Sequence, residues 1–223
     1  MAKADAGRIV GKIRAQLKTI DNRICRHPYI KALEAGEISK KSLQGFAGHQ
    51  FHIIGSDLRS IAQLINRHGT LKSRGFLVNL LQGEAAAFEA LLKFGRALGL
   101  SETKLAAYEP APAGVAYAHY VAWLGCYGSD AELAGAFLVN FAAWGANCAR
   151  MGKALRKRYK MKDQDLFFFD LFAETPPEFE KAALGVISAG LARGIQPRLI
   201  VRAARLLQGF ELLYWDTMAE IRP

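Results

Sequence analysis

Two histidines one helical turn apart form the first pair of side chains in this sequence that could do chemistry. His49 and His52 lie three positions apart in a stretch of helical periodicity, so both project from one helix face. With a carboxylate from another helix, such as Glu84, they could bind a metal ion and serve an iron oxygenase. The helix face that carries the two histidines lies beside the apolar stripe of Phe51 and Ile54, and this stripe is the side that we expect to face the interior. A packing or surface role for the histidines is therefore the alternative.

Glu211 is a single acidic residue among apolar and aromatic neighbours near the end of the sequence. Such a glutamate acts as a general acid or base when burial raises its pKa toward neutrality. A surface or ion-paired position is the alternative, because unpaired glutamates are seldom buried.

Aromatic residues are numerous in the helical segments, where they either form the core or line a pocket for a flat or apolar molecule. In the second case Asn140, Tyr120 and Glu211 would be the few polar groups that orient the ligand. The aromatic positions are Phe51, Tyr117, Tyr120, Phe137, Phe141, Trp144, Phe167, Phe168, Phe169, Phe172, Tyr214 and Trp215.

The spacing of the cysteines and the length of the apolar runs indicate the cellular compartment of the protein. Cys25, Cys126 and Cys148 have neither a CxxC nor a His/Cys spacing, and the N-terminus lacks the pattern of a signal peptide. We therefore expect a reducing, cytoplasmic location. The run 134–149 is too short to span a membrane, so we expect a buried central helix and no membrane partner.

The formal net charge of +10 could attract a polyanion. The basic residues are scattered, however, except for a dense cluster over residues 150–162. This cluster is either a helix end, where the macrodipole favours cations, or an anion-binding surface. No recognition-helix turn or interleaving of basic and aromatic residues is evident, so we expect no nucleic-acid partner.

The elements that must position these residues are helices. Apolar residues recur at helical spacing and no stretch alternates like a strand, so the predicted fold class is all-α, in one domain of residues 1–223. Ser39 is suited to cap a long third helix with the stripe Leu43, Ala47, Phe51, Ile54, Leu58, Ile61 and Ile65. The predicted helices cover residues 6–24, a short segment ending at 36, 39–69, 72–98, a turn after 101, 113–127, 131–159, 163–173, 177–192 and 197–220.

Several segments, in order, resemble the PqqC (pyrroloquinoline-quinone synthase) and TenA (thiaminase II) families. RHPYIKAL at 26–33, LQGF at 43–46 and EALLKFG at 89–95 resemble PqqC, and FELLYWDTM at 210–218 is similar to the last helix of TenA. The resemblance implies a heme-oxygenase-like bundle of seven or more helices around a central cavity for a small ring compound. In TenA this compound is an aminopyrimidine, and in PqqC it is an anionic quinone precursor oxidised without a metal.

The TenA resemblance implies that several functional groups of that family are replaced here. Its catalytic aspartate, which follows a glutamine on the third helix, falls at Phe51, and the tyrosine three residues later falls at Ile54. Its cysteine nucleophile falls at Asn140, and a nearby tyrosine falls at Trp144. Thiaminase chemistry through a covalent intermediate therefore looks lost, since it needs an activated nucleophile.

Two TenA positions are retained in this resemblance. Glu211 matches the acid/base carboxylate, and Tyr117 or Tyr120 matches a tyrosine of the cavity. The histidine and arginine positions by which PqqC holds its anion fall at Ile24, Gln50 and Gln82. In a third group on this fold, which binds two irons, the late-helix ligand register falls at Glu174, Glu178 and Lys181, and Pro176–Pro177 interrupts it.

We therefore expect a protein that binds, and could transform, a small aromatic or apolar cofactor-related molecule, as a divergent oxidoreductase or hydrolase. The alternatives are a non-catalytic binding or interaction protein and a non-heme iron oxygenase. Glu211 is the candidate catalytic residue, with no metal ligands and no cofactor assigned. The candidate ligand-binding residues are Tyr117, Tyr120, Asn140, Trp144, Phe51, Ile54 and Glu84. The resemblance also implies a homo-oligomer.

Overall fold

Helices make up the regular structure, as the periodicity predicts. The computed structural model describes residues 2–221, with side chains from residue 5 onward. Within these residues there are no strands, and one 3-10 turn covers Asp163–Asp165. The α-helices are α1 (Ala2–Cys25), α2 (Pro28–Ala35), α3 (Lys40–His68), α4 (Arg74–Ala97), α5 (Glu102–Ala106), α6 (Pro112–Tyr127), α7 (Asp130–Tyr159), α8 (Phe167–Ala173), α9 (Pro177–Ala192) and α10 (Pro197–Glu220). The all-α prediction is confirmed.

Local sequence signals set the ends of α2 and α3. The His27 ring accepts a hydrogen bond of 3.3 Å from the backbone N–H of Tyr29 and so caps α2. This helix ends at Gly36, whose φ of 85° lies in the left-handed region where a Cβ is unfavourable. The Ser39 hydroxyl accepts from the Ser42 N–H at 3.1 Å, which confirms the predicted cap of α3.

The segment 163–173, predicted as one helix, is divided into the 3-10 turn and α8. Arg156 on α7 donates to Asp163 at 2.5 Å and to Asp170 at 2.6 Å, one acid on each side of the division. Arg156 therefore pairs with one acid in the 3-10 turn and one acid in α8.

Arginines of the basic cluster are used in structural pairs at the end of α7. Arg150 binds the Glu34 carboxylate through two hydrogen bonds of 2.7 Å each, and Arg158 donates to the backbone oxygen of Glu34 at 3.0 Å. These bonds fasten α7 to α2. Arg150 and Arg158 of the cluster therefore have structural partners within the protein.

The centre of the molecule is α7, which packs against α1, α2, α8, α9 and α10. Its residues 130–140 are buried without interruption, which confirms the prediction of a buried central helix. On the other side, α3 packs against α4 and α6. No helix in the described range 2–221 is long and apolar enough to cross a membrane.

Candidate functional site

A cavity lies between the two groups of helices and is lined by six of them. We call it the inner cavity. Its polar lining residues are Gln50, Asp57, Glu84, Asn140 and Glu211. Its aromatic lining residues are Tyr117, Phe141, Trp144, Phe172 and Tyr214, and Ile53 and Ile54 complete the wall. Helices α3, α4, α6, α7, α8 and α10 therefore each contribute at least one side chain.

The inner cavity is small. It offers about 30 Å³ to the centre of a water-sized sphere, roughly twice the space that one water needs. It has room for about two water-sized groups, such as the polar edge of a ligand. A molecule of cofactor size would have to extend beyond it.

Two carboxyl groups, those of Asp57 on α3 and Glu84 on α4, line this cavity and interact electrostatically. Both side chains are almost fully buried, at 3% and 6% exposure. Burial raises the pKa of Glu84 to about 7. Burial also raises the pKa of Asp57 well above its usual range, and the charge of Glu84 raises it further. The pair therefore favours at least one protonated carboxyl group over two negative charges.

The Asp57 carboxyl group also has an oxygen atom that accepts no hydrogen bond. Its Oδ1 atom is fully buried and has no hydrogen-bond partner among the described residues. Unpaired buried acceptors are costly and uncommon in folded proteins. A ligand that donates an N–H or O–H group to Asp57 would remove this cost.

Glu211 on α10 is the third carboxyl group of the inner cavity. Burial raises its pKa to about 7, against the opposing effect of hydrogen bonds from Trp215 and Asn140. The Trp215 indole N–H donates to Glu211 Oε1 at 2.7 Å and fixes the carboxyl group. A carboxyl group with a pKa near neutrality can both give and accept a proton under physiological conditions.

Asn140 is held by a chain of hydrogen bonds that leads out of the cavity. The Tyr117 hydroxyl donates to Asn140 Oδ1 at 3.3 Å, and Asn140 Nδ2 donates to Gln208 Oε1 at 3.1 Å. Gln208 in turn donates to Asp21 at 2.6 Å. Because the Tyr117 hydroxyl donates and Gln208 Oε1 accepts, the oxygen of the Asn140 amide faces Tyr117 and its nitrogen faces Gln208. The amide of Asn140 is thus preoriented toward the cavity.

The structure brings most of the predicted site residues together. Ile54, Glu84, Tyr117, Asn140, Trp144 and Glu211 all line the inner cavity. Phe51 and Tyr120 do not.

Phe51 and Tyr120 point elsewhere because of their positions on their helices. Phe51 packs on Phe88, with ring centroids 5.2 Å apart, at the contact between α3 and α4. In this turn of α3 the residue that lines the cavity is Gln50, one position earlier, which is about 100° away around the helix. Tyr120 stacks on Trp123 at 5.8 Å and lies near Phe210.

His49 and His52 are not brought to Glu84, because neither lines the inner cavity. His49 Nδ1 lies 2.8 Å from the Gly45 oxygen, and its Nε2 accepts from the Ala111 N–H at 3.0 Å. His52 Nε2 lies 2.7 Å from the Tyr108 oxygen. The pair holds the loop before α6. No group of three or more potential metal ligands occurs among the residues described.

The cysteines offer no activated thiol to the cavity. Cys148 is fully buried, and burial raises the pKa of its thiol well above the usual range. Burial also raises the pKa of Cys25. Both thiols are therefore less nucleophilic than free cysteine.

A larger apolar cavity adjoins the inner one between α4, α8 and α9, and we call it the vestibule. It offers about 390 Å³ to the centre of a water-sized sphere. Its apolar lining residues are Phe76, Leu80, Phe141, Leu171, Phe172 and Phe179. Glu84, Phe141 and Phe172 line both spaces. These three residues form the boundary between the inner cavity and the vestibule.

The sequence matches a known family over most of its length. The family model described as the TENA/THI-4/PQQC family matches residues 14–184, more than half of the 223 residues. The chain belongs to this family. This confirms the family resemblance seen in the segments from 26 to 95. No curated protein matches the sequence.

Solved structures similar to this member of the TENA/THI-4/PQQC family have the same fold at low sequence identity. A TenA homologue from Pseudomonas syringae pv. tomato aligns with a TM-score of 0.80 and 12% identity, over 95% of this chain and 92% of that one. A putative TenA-like thiaminase from Sulfolobus solfataricus aligns with a TM-score of 0.71 and 12% identity, over 96% and 97%. Heme oxygenase-1 from Synechocystis, solved with heme, aligns with a TM-score of 0.63 and 13% identity, over 94% and 91%. The heme-oxygenase-like fold is thereby confirmed.

Asp57 and Gln208 are site residues that the sequence analysis did not select. Asp57 lies seven positions after Gln50 and three after Ile54, and these spacings place all three on one helix face. A single acidic residue on a face with Gln50 and Ile54 is the signal that would have found it. Gln208 lies three positions before Glu211, one turn of α10 away.

Proposed function

We propose that the inner cavity receives the edge of a flat aromatic molecule that carries N–H donors, and that Glu211 transfers a proton to or from it. The observation that carries this proposal is the convergence of Asp57, Glu84 and Glu211 on one aromatic-lined space. Asp57 Oδ1 supplies an acceptor without a partner. Donor groups of a ligand are the natural complement of such a set.

The aromatic wall favours a flat ligand. Trp144 lies 5.7 Å from Trp215 and 6.1 Å from Tyr214, measured between ring centroids, so its ring is held by its neighbours. A ring whose edge enters the cavity would contact Trp144 and Tyr214 while that edge reaches the carboxyl groups. Buried aromatic contacts of this kind add about 0.5–1.5 kcal/mol beyond the area that they cover.

The reaction class that fits this lining is acid–base chemistry without a thiol nucleophile. Protonated Glu211 would give its proton to a leaving group on the ring's substituent while a water molecule adds its hydroxyl to the carbon that the group leaves, and the proton of that water would return to Glu211. Asn140 and Tyr117 would orient the ring through their fixed hydrogen-bond chain. The similarity to a putative TenA-like thiaminase supports a thiamine-related ligand, and the TenA resemblance implies an aminopyrimidine, with Asn140 at the position of that family's cysteine.

The proposal is tested by the Glu211→Gln variant, with 4-amino-2-methylpyrimidine as the probe. Glutamine retains the oxygen that accepts from Trp215 but carries no titratable proton. We expect calorimetry to show at least tenfold weaker binding, and we expect the dependence of affinity on pH between 5 and 8 to lose the contribution of Glu211 and keep that of Glu84. Glu220→Gln, an exposed change near the end of the same helix, is the control and should behave as the wild type.

Unchanged affinity and an unchanged pH dependence in Glu211→Gln would remove Glu211 from the site. If the probe and its larger relatives bind without any chemical change, the protein is a binding protein instead. Chromatography of the bound compound after incubation distinguishes these two results.

A further inference from the structure

An aromatic surface patch extends along α10 and the neighbouring helix α6, and we call it the α6/α10 face. Three of the four large apolar side chains that are exposed in the described part of the chain lie on it: Trp123 at 41%, Tyr127 at 73% and Leu213 at 42%. Half-buried rings join them, because Tyr120 stacks on Trp123 at 5.8 Å and Phe210 packs on Tyr120 at 5.5 Å, between ring centroids. A continuous exposed patch of this kind is typical of a protein–protein interface.

The two helices of this face run antiparallel. At one end, Arg202 of α10 lies over the Trp123 ring of α6, with the guanidinium carbon 5.9 Å from the ring centroid. At the other end, a Cβ added to Gly114 of α6 would lie 3.2 Å from the Thr217 side chain of α10. The aromatic end of α6 is therefore beside the first half of α10, and the start of α6 is beside the second half.

The outer stripe of α10 changes charge along its length. Its members are exposed or half-exposed and recur every three or four positions, which places them on one narrow strip of the helix surface. In chain order they are Arg198, Arg202, Arg205, Gly209, Leu213, Asp216 and Glu220. The first half of the stripe is therefore basic, the second half is acidic, and a glycine lies at its midpoint.

This order of charges is complementary to itself in the reverse direction. Arg202 and Asp216 each lie seven positions from Gly209, and Arg198 and Glu220 each lie eleven positions from it. When two copies of α10 pack antiparallel with their glycines in contact, each arginine of these pairs faces an acid of the other copy. Parallel packing would instead place like charges opposite each other. The stripe therefore favours one direction and one register.

The shape of the face is complementary under the same two-fold axis, which also stacks α6 antiparallel on its counterpart. The aromatic end of α6 then meets the start of the other α6, where Ala113 has a small side chain. An open groove lies at this end, with about 440 Å³ for the centre of a water-sized sphere. Its lining residues are His27, Pro28, Ala113, Leu213, Asp216, Thr217, Ala219 and Glu220. Trp123 of one copy can enter this groove while the Arg202 beside it reaches the acidic wall.

The inner charged pair is available for a contact between copies. Arg202 lies 3.9 Å from Glu132 within its own chain, which is beyond hydrogen-bond distance. Asp216 contacts His27 through Oδ1, and its side chain is 48% exposed. The face is about 33 Å long and two helices wide, so it can bury about 600 Å² on each copy. This area reaches the lower end of the range for stable interfaces, about 1,200 Å² in total.

We propose that the α6/α10 face binds the same face of a second copy of this chain, in a two-fold symmetric dimer with α10 packed antiparallel on itself. Each contact in such an interface occurs twice, so two Arg202–Asp216 pairs and two Trp123 side chains contribute. The outer pair, Arg198 and Glu220, lies at the exposed rim, where an ion pair adds little. The inference does not depend on the inner cavity and can fail separately from the proposed function.

Sedimentation equilibrium of the full chain at micromolar concentrations, with two charge-reversal variants, tests the interface. The wild type should have twice the monomer mass of 24.5 kDa. Arg202→Glu and Asp216→Arg each create two like-charge contacts across the two-fold axis, so each variant alone should associate at least tenfold more weakly. An equimolar mixture of the two variants should recover the dimer, because both contacts then join opposite charges. Recovery also shows that both variants are folded.

The crossing point of the two helices is tested at Gly209. A Cβ at Gly209 would meet nothing within 4 Å in the monomer, so Gly209→Glu leaves the fold intact. It places two glutamates against each other on the two-fold axis and should also weaken association at least tenfold. Gly185→Glu is the matched control, since a Cβ at this exposed position of α9 would also meet nothing within 4 Å. This control should remain a dimer.

Three results would overturn the inference. The first is a wild type that remains monomeric at micromolar concentrations. The second is a dimer that persists in Gly209→Glu and in both charge-reversal variants, because the copies would then associate through another face. The third is a mixture of Arg202→Glu and Asp216→Arg that does not recover the dimer, which would exclude the antiparallel register.

Discussion

At the scale of single residues, the inner cavity is defined by carboxyl groups in an apolar setting. Burial raises the pKa of Glu84 and of Glu211 to about 7, and it raises the pKa of Asp57 well above its usual range. Such groups are held neutral at moderate pH so that they can donate as well as accept hydrogen bonds. Perturbed carboxyl groups that share one cavity are typical of functional sites.

The raised pKa of Glu211 predicts that stability depends on pH. A carboxyl group whose pKa is higher in the folded than in the unfolded state binds its proton more tightly when folded. Its contribution to stability is present below the ordinary value of 4.5 and is lost as the pH rises through about 7. From pH 5 to pH 8 this loss amounts to about 2–3 kcal/mol. Glu211→Gln should lack it.

Denaturant unfolding of the wild type and Glu211→Gln at pH 5, 6, 7 and 8 measures this effect. The difference in the free energy of unfolding should grow in favour of the variant by about 2–3 kcal/mol across the series. Glu220→Gln should show no such trend. A constant difference between the wild type and Glu211→Gln would mean that Glu211 is not a buried titrating group.

The side chains that line the cavity were only partly predictable from the sequence. Glu211 and Asn140 could be selected because the segments around them resemble a known family. Phe51 was placed at the cavity because apolar periodicity puts it on the inner stripe, yet Gln50 and Asp57 occupy that face. Polar residues on a cavity-facing surface interrupt the apolar pattern, so periodicity placed Ile54 at the cavity but did not identify Gln50 and Asp57 beside it.

At the scale of elements, the wall of the cavity depends on how closely α8 approaches α7. A Cβ at Gly145 on α7 would lie 2.5 Å from the backbone oxygen of Phe172 at the end of α8. This contact is possible only for glycine without a shift of the backbone. Gly145 therefore sets the position of Phe172, which lines both spaces.

Gly145→Ala should destabilise the protein by about 1–3 kcal/mol, because the end of α8 must move. It should also weaken the binding of 4-amino-2-methylpyrimidine, since Phe172 lines the inner cavity and moves with the helix. The control is Gly185→Ala on α9, where a Cβ would meet nothing within 4 Å. That change should stabilise the protein by about 0.5–1 kcal/mol. Equal stabilities of the two variants in urea unfolding would contradict this account of α8.

Helix boundaries were largely predictable because their signals are local. Ser39, Gly36 and the prolines that begin α9 and α10 act within one turn of the helix ends. The division of the segment 163–173 was not predicted, because the segment contains no Pro or Gly that marks a break. Local signals therefore identify where helices begin and end, but not every break within a helical segment.

At the scale of the whole molecule, the fold places one small polar space at the meeting point of six helices. The all-α class and the heme-oxygenase-like fold could be predicted, because periodicity and the ordered family segments extend over most of the chain. The vestibule could not be predicted, since it depends on the relative placement of α4, α8 and α9. The same is true of its acidic character, which the net charge of +10 conceals.

The crystal structure of the protein soaked with 4-amino-2-methylpyrimidine tests the central claim most directly. We predict density for the ring with its edge in the inner cavity against Trp144, with its amino group within hydrogen-bond distance of Asp57 or Glu84 and a ring nitrogen facing Glu211. The claim would be contradicted by a structure at saturating compound in which the inner cavity holds only water and the ring binds elsewhere.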